Sequence, residues 1–170
     1  FAEAQKKRDA EREVSLRRQL ADRPHDEQVF AALLELLENE DRLDEARDAY
    51  LQYLGSTMTP SQRGGFAHWL ASVNRDDESA AQFQQALAAD PLIPMGHTMY
   101  GILLARMNRP AEAQRELFLA LLDDPTDEDA MDSMQAVTSQ LGPLAPDVEK
   151  SLRQQYDTWS KAAEAAAKQP

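Results

Sequence analysis

Two stretches of this sequence repeat each other at a fixed distance, and that distance limits what the chain can fold into. Residues 78–91, ESAAQFQQALAADP, and residues 110–125, PAEAQRELFLALLDDP, align with Phe83 over Leu117, Ala86 over Ala120, Leu87 over Leu121 and Pro91 over Pro125, each pair 34 residues apart. The apolar positions recur every three to four residues, so each stretch is one face of an amphipathic helix. The closing proline stops it. A period of 34 residues has room for two helices and their turns, and one such pair cannot bury its apolar face alone. Pairs must stack. Composition agrees: there are only six Gly, and 42% of the 170 residues are hydrophobic, enough for a folded core. Ala, Leu, Gln, Glu, Asp and Arg, mostly helix formers, dominate.

The pattern is a small residue, three spacers, a bulky apolar residue, two spacers, Ala, and Pro five residues on. It resembles the second helix of the tetratricopeptide repeat (TPR). The resemblance implies that the first helix of each unit begins 31 residues before the proline. A third unit then starts at Pro94, with Tyr100, Gly101 and Leu104 at positions seven, eight and eleven, and a second at Pro60, with Phe66, Ala67 and Leu70. A first unit starts near Glu27, with Phe30, Leu33 and Leu37 in one helix and Ala46, Tyr50 and Tyr53 in the other; its position eight is Leu34, not a small residue, and its loop is one residue short. The ends depart from the pattern. Residues 1–24 form a leading helix with Leu16, Leu20 and Pro24 in register. Residues 128–141 resemble a fourth first helix with Met131 and Met134 at core positions. Residues 146–168 form a capping helix striped by Val148, Leu152, Tyr156 and Trp159. The expectation is one all-α domain over residues 1–170: a right-handed superhelix of antiparallel pairs, an α-solenoid with repeats at 27–59, 60–93 and 94–127.

Local signals mark the joints. Thr59-Pro60-Ser61-Gln62 reads as an N-cap, a first-turn proline and a capping partner. Asp41, Asp76 and Asn108 are placed in the short turns within pairs. Gly64-Gly65 lies inside a predicted helix, where each glycine costs about 1 kcal/mol relative to Ala. Gly65 is read as making room for the indole of Trp69, four residues on; the alternatives are a helix that starts near Gly65, or Gly64 opening a binding face.

The formal net charge is −12, which argues against general nucleic-acid binding. Residues 1–23 carry seven Lys/Arg against five Asp/Glu, so the acidity lies in the remainder. There is no cysteine. No apolar run approaches the roughly 18 residues that span a bilayer. The chain opens on Phe1 and reads as a processed or partial chain, so its compartment stays open between cytoplasm and, with an upstream signal or anchor, periplasm or envelope.

In the family, stacked pairs present a concave face lined by first-helix residues, which holds an extended peptide or a helix. The corresponding positions here give a candidate groove of Gln28, Ala31, Glu35 and Asn39; Gly64, His68 and Ser72; Met95, Thr98, Ile102 and Arg106; and Asp132. It is acidic at both ends and small and apolar in the middle. The family's grip on a C-terminal carboxylate is missing, with Ala31 and Glu35 where Lys and Asn are needed. The expected partner is therefore another protein offering an apolar segment with basic flanks. His25, His68 and His97 fall on different units with no metal-ligand spacing, and His97 sits at a core position. Met95, Met99, Met107, Met131 and Met134 read as core filling, and any of them left exposed as an adaptable hydrophobic groove. No cofactor, metal or catalytic set is expected. The competing reading is a self-associating module acting through its edge helices, with Tyr156 and Trp159 exposed at a dimer contact.

Overall fold

A computed structural model describes residues 2–169, apart from the side chain of Ser56. Among the described residues there are nine α-helices and one short 3₁₀ turn (Gly55–Thr57), with no strand. The helices are α1 (Ala2–Asp22), α2 (Glu27–Asn39), α3 (Leu43–Tyr53), α4 (Pro60–Ser72), α5 (Asp76–Ala89), α6 (Gly96–Arg106), α7 (Pro110–Asp123), α8 (Glu128–Leu141) and α9 (Pro146–Ala167). The chain clusters into two compact units, residues 1–58 and 59–170.

The first unit holds α1 to α3. Asp26 caps α2 by accepting from the Val29 amide at 3.2 Å. Leu33 and Leu37 are fully buried on α2, against Ala46 and Ala49 of α3 and Leu16 and Leu20 of α1. Phe30 meets Tyr50 edge-on at 5.0 Å and Tyr53 at 6.2 Å. Burial pushes the Tyr50 phenol up to about 12. The α2–α3 pair is less closely apposed than the pairs of the second unit, as the buried Leu34 at the crossing position requires. Charge fixes α1: Arg42, in the α2–α3 turn, donates to Glu13 at 2.6 Å, to Glu40 at 2.7 Å and to Glu45 at 2.6 Å.

In the second unit α4 pairs with α5 and α6 with α7; α6 packs on α5, and α8 packs on α7 and α6. The core runs through Ala67, Phe83, Tyr100, Leu104, Leu117 and Ala120, with Phe83 stacked on Tyr100 at 5.7 Å. Small residues set the crossings. A Cβ on Gly101 would lie 2.7 Å from Leu117 Cγ, so only glycine lets α6 and α7 approach this closely. At the α4–α5 crossing the buried Ser79 hydroxyl donates to the Ala67 carbonyl at 2.6 Å.

Several expectations need correction. Asn74, not Asp76, takes the left-handed backbone in the α4–α5 turn (φ 61°), alongside Asp41 and Asn108 in theirs; Asn tolerates that conformation, and Asp76 instead opens α5. Helix α6 starts at Gly96 rather than Pro94, because Met95 is left-handed (φ 60°) and its turn closes from the Gly96 amide to the Ile93 carbonyl. Met131 is exposed: Ala130 and Val137, seven residues apart, take the inward face of α8 and turn Met131 outward. Tyr156 and Trp159 are not a free edge. Helix α9 lies on α7, with Leu152 buried, the Tyr156 hydroxyl donating to Asp123 at 2.9 Å, and Trp159 stacked on His97 at 5.7 Å. His97 is buried as expected, its ring nitrogens 2.6 Å from Glu116 Oε2 and 2.9 Å from the Pro91 carbonyl oxygen.

Candidate partner-binding groove

Helices α4 and α6 are both first helices of their pairs, and both face α5. Between them runs a groove in two connected hollows. One, of about 310 Å³, lies against the first turns of α4, with Gly64, Gly65 and His68 on one side and Pro94, Gly96 and Met99 on the other. The next, of about 170 Å³, continues between Ala71 and Ser72 of α4 and Ile102 and Arg106 of α6. They share His68, Phe83 and Met99. Spacing explains the walls. Met99, Ile102 and Arg106 lie at i, i+3 and i+7 on one face of α6, and Gly64, His68, Ala71 and Ser72 at i, i+4, i+7 and i+8 on one face of α4. Phe83 and Ile93, both buried, form the floor.

The helix that carries the glycines begins at Pro60. The Thr59 hydroxyl accepts from the Gln62 amide at 3.2 Å, and the Gln62 side chain accepts from the Thr59 amide at 3.0 Å, a complete capping box. This excludes a start near Gly65. The indole reading of Gly65 also fails. A Cβ there would meet nothing within 4 Å, and Trp69 instead stacks on Phe66 at 6.3 Å. Gly64 is the more tightly packed of the two, because its Cβ would come within 3.1 Å of the terminal methyl Cδ1 of Ile93.

The groove's cation is already committed. The Arg106 guanidinium donates to the Ala71 carbonyl at 2.9 Å and pairs with Asp76. A third hollow, of about 170 Å³, adjoins the Gly64 end and shares Ile93, Pro94 and Gly96 with it. It is lined by Asp123, Asp124 and Asp127. Thr126 donates to Asp124 from its hydroxyl and its amide, which holds that carboxyl below the usual range. Asp127 caps α8 at the Ala130 amide and accepts from the Thr98 hydroxyl at 2.6 Å. Residues 59–170 carry nine Lys/Arg against sixteen Asp/Glu, so the apolar groove opens into an acidic surround.

Of the residues expected in the groove, Gly64, His68, Ser72, Ile102 and Arg106 line it. Met95 lines the carboxylate hollow instead. Thr98 is buried, with its hydroxyl spent on Asp127. Asp132 is exposed on α8. Gln28, Ala31, Glu35 and Asn39 form an exposed face of α2 in the first unit. The floor was missed: Phe83 reads from sequence as pure core, and Ile93 lies in a loop with no periodicity. Met99, one of the methionines read as core or groove, lines both hollows. Among the described residues no group of three His, Cys, Asp or Glu is placed to hold a metal ion, and no helix is long and apolar enough to cross a membrane.

No family model and no curated protein matches the sequence. Solved structures do. MamA aligns over 92% of this chain and 90% of its own, with a TM-score of 0.63 and 11% identity. Pseudomonas aeruginosa pilF aligns over 93% and 70%, with a TM-score of 0.61 and 19% identity. PilW, a widely conserved type IV pilus biogenesis factor, aligns over 87% and 68%, with a TM-score of 0.58 and 22% identity. All three are TPR proteins. The chain has the tetratricopeptide-repeat fold. In TPR terms α4 and α6 are neighbouring first helices, and the groove between them lies on the face those helices line.

Proposed function

We propose that the chain is a protein-interaction scaffold whose α4–α6 groove holds an apolar segment of a partner protein, with basic residues flanking that segment. The observation that carries this reading is the continuous groove floored by Phe83 and Ile93, beside carboxylates with no spare cation among them. Apolar burial supplies affinity, and the charge surround selects partners with Lys or Arg at the flanks. An adaptor or complex-assembly role is the form such binding takes, in keeping with a fold shared with a pilus biogenesis factor. The Ser72 hydroxyl in the groove donates to the Trp69 carbonyl at 2.7 Å rather than to His68, so we read the protein as a binder and not an enzyme.

Isotope-labelled protein titrated with a Lys-flanked amphipathic peptide tests the reading. Amide shifts should concentrate on α4 and α6, and Ile102→Glu should weaken binding at least tenfold. Shifts confined to α5, α7 and α9 would remove the groove from the account. A second reading, self-association, draws on Met131 and Leu141, 42% and 46% exposed on α8. Sedimentation that gives a monomer mass at every concentration would eliminate it.

A further inference from the structure

Among the described residues, nothing packs where a side chain on Gly65 would stand. A glycine inside a helix is explained by left-handed backbone, by a helix end, or by close approach of another part of the protein. Gly65 has none of these. It is not among the positive-φ residues, it lies six positions into a capped helix, and a Cβ on it would meet nothing within 4 Å. A Cβ on its neighbour Gly64 would crowd Ile93 Cδ1 at 3.1 Å; one on Gly65 would crowd nothing. It is exposed and lines the 310 Å³ hollow. The remaining use of a missing side chain is to let something outside the fold come close to the helix backbone.

The hollow states what that something is. Its floor is the Phe83 ring and Ile93, its far wall Met99, and its polar lining is slight. Its volume is nearly twice that of the hollow at the Ile102 end. Its Ile93, Pro94 and Gly96 edge is shared with the neighbouring hollow that Asp123, Asp124 and Asp127 line. Building on the groove reading above, we propose that Gly65 is a specificity-determining contact. The partner seats one bulky apolar side chain, aromatic in preference, in the Gly64–Gly65 hollow, its backbone crossing α4 at Gly65 and a neighbouring Lys or Arg reaching the carboxylates. The Ile102 end takes a smaller aliphatic side chain.

Two synthetic helical peptides test this. Both carry lysine pairs at each end and a Leu; one has a Phe a turn away from the Leu, the other an Ala in its place. They are titrated into the full chain, into Gly65→Ala and into Ile102→Glu. The intact chain should bind the Phe peptide about tenfold or more tighter than the Ala peptide. Gly65→Ala should melt roughly 2–4 °C higher, as an unhindered helix position does, yet lose most of that preference. A variant that melts higher and keeps the preference overturns the inference, and one that melts lower shows a structural role instead. If Ile102→Glu weakens both peptides while Gly65→Ala changes neither, the groove stands and this contact falls. If neither peptide shifts the α4 and α6 amides, both fall.

Discussion

Adjacent in meaning but opposite in consequence, Gly65 and Gly101 mark how far one methyl group can matter. Helix propensity favours alanine at both by about 1 kcal/mol. At Gly101 the new Cβ would sit 2.7 Å from Leu117 Cγ and 3.3 Å from the Leu117 amide nitrogen. The backbone cannot swing aside as a side chain can, and overpacking of this kind costs about 1–3 kcal/mol. Gly101→Ala should therefore lower stability by about 1 kcal/mol net in chemical denaturation, where Gly65→Ala raises it. Glu13 offers a second residue-scale test. Its carboxyl is held below the usual range chiefly by the Arg42 hydrogen bond, with Arg17 adding to it against burial. A lowered folded value stabilises above the usual carboxylate range and is lost as pH falls through the folded value. Glu13→Gln should thus be less stable than the parent at neutral pH, and the gap should close below about pH 4, followed by urea melts across pH.

At the scale of the element, two helix ends behave differently. The start of α4 is fixed by its own four residues, and Thr59→Ala removes the hydroxyl half of the capping box while leaving the Gln62 half, which rests on the backbone amide. The expected loss is about 1 kcal/mol, with faster amide exchange confined to the first turn. Helix α9 is fixed by tertiary partners instead. It buries only Leu152 fully and otherwise relies on Trp159 against His97, Tyr156 on Asp123, and the Arg153 guanidinium 5.0 Å from the Phe118 ring centre. Trp159→Ala should cost about 2 kcal/mol and strip exchange protection from α9 while α4 to α7 keep theirs. Uniform loss along the second unit would contradict this.

For the molecule as a whole, repeat architecture makes stability a sum of neighbouring contacts. The second unit closes a core of its own around Phe66, Phe83, Leu104 and Leu117, all at most 1% exposed. Residues 59–170 expressed alone should give a cooperative melt and retain the helicity expected of their six helices. A non-cooperative, molten fragment would show that this core depends on the rest of the chain.

The 34-residue register, the capping box and the breaking prolines are local or periodic signals, so they were legible in the sequence, and with them the helices and the fold class. The groove was legible only in part. The resemblance to the tetratricopeptide repeat implied which positions of α4 and α6 line the groove, hence His68, Ser72 and Ile102. It could not place Ile93, a loop residue that becomes floor, nor show that Thr98 is consumed by Asp127. Nor could it tell that a Cβ on Gly64 would crowd Ile93 Cδ1 at 3.1 Å while one on Gly65 would meet nothing within 4 Å among the described residues. Helical periodicity fixes which way a side chain leaves its own helix; what it meets there depends on residues from other helices, and only the packed structure brings those together.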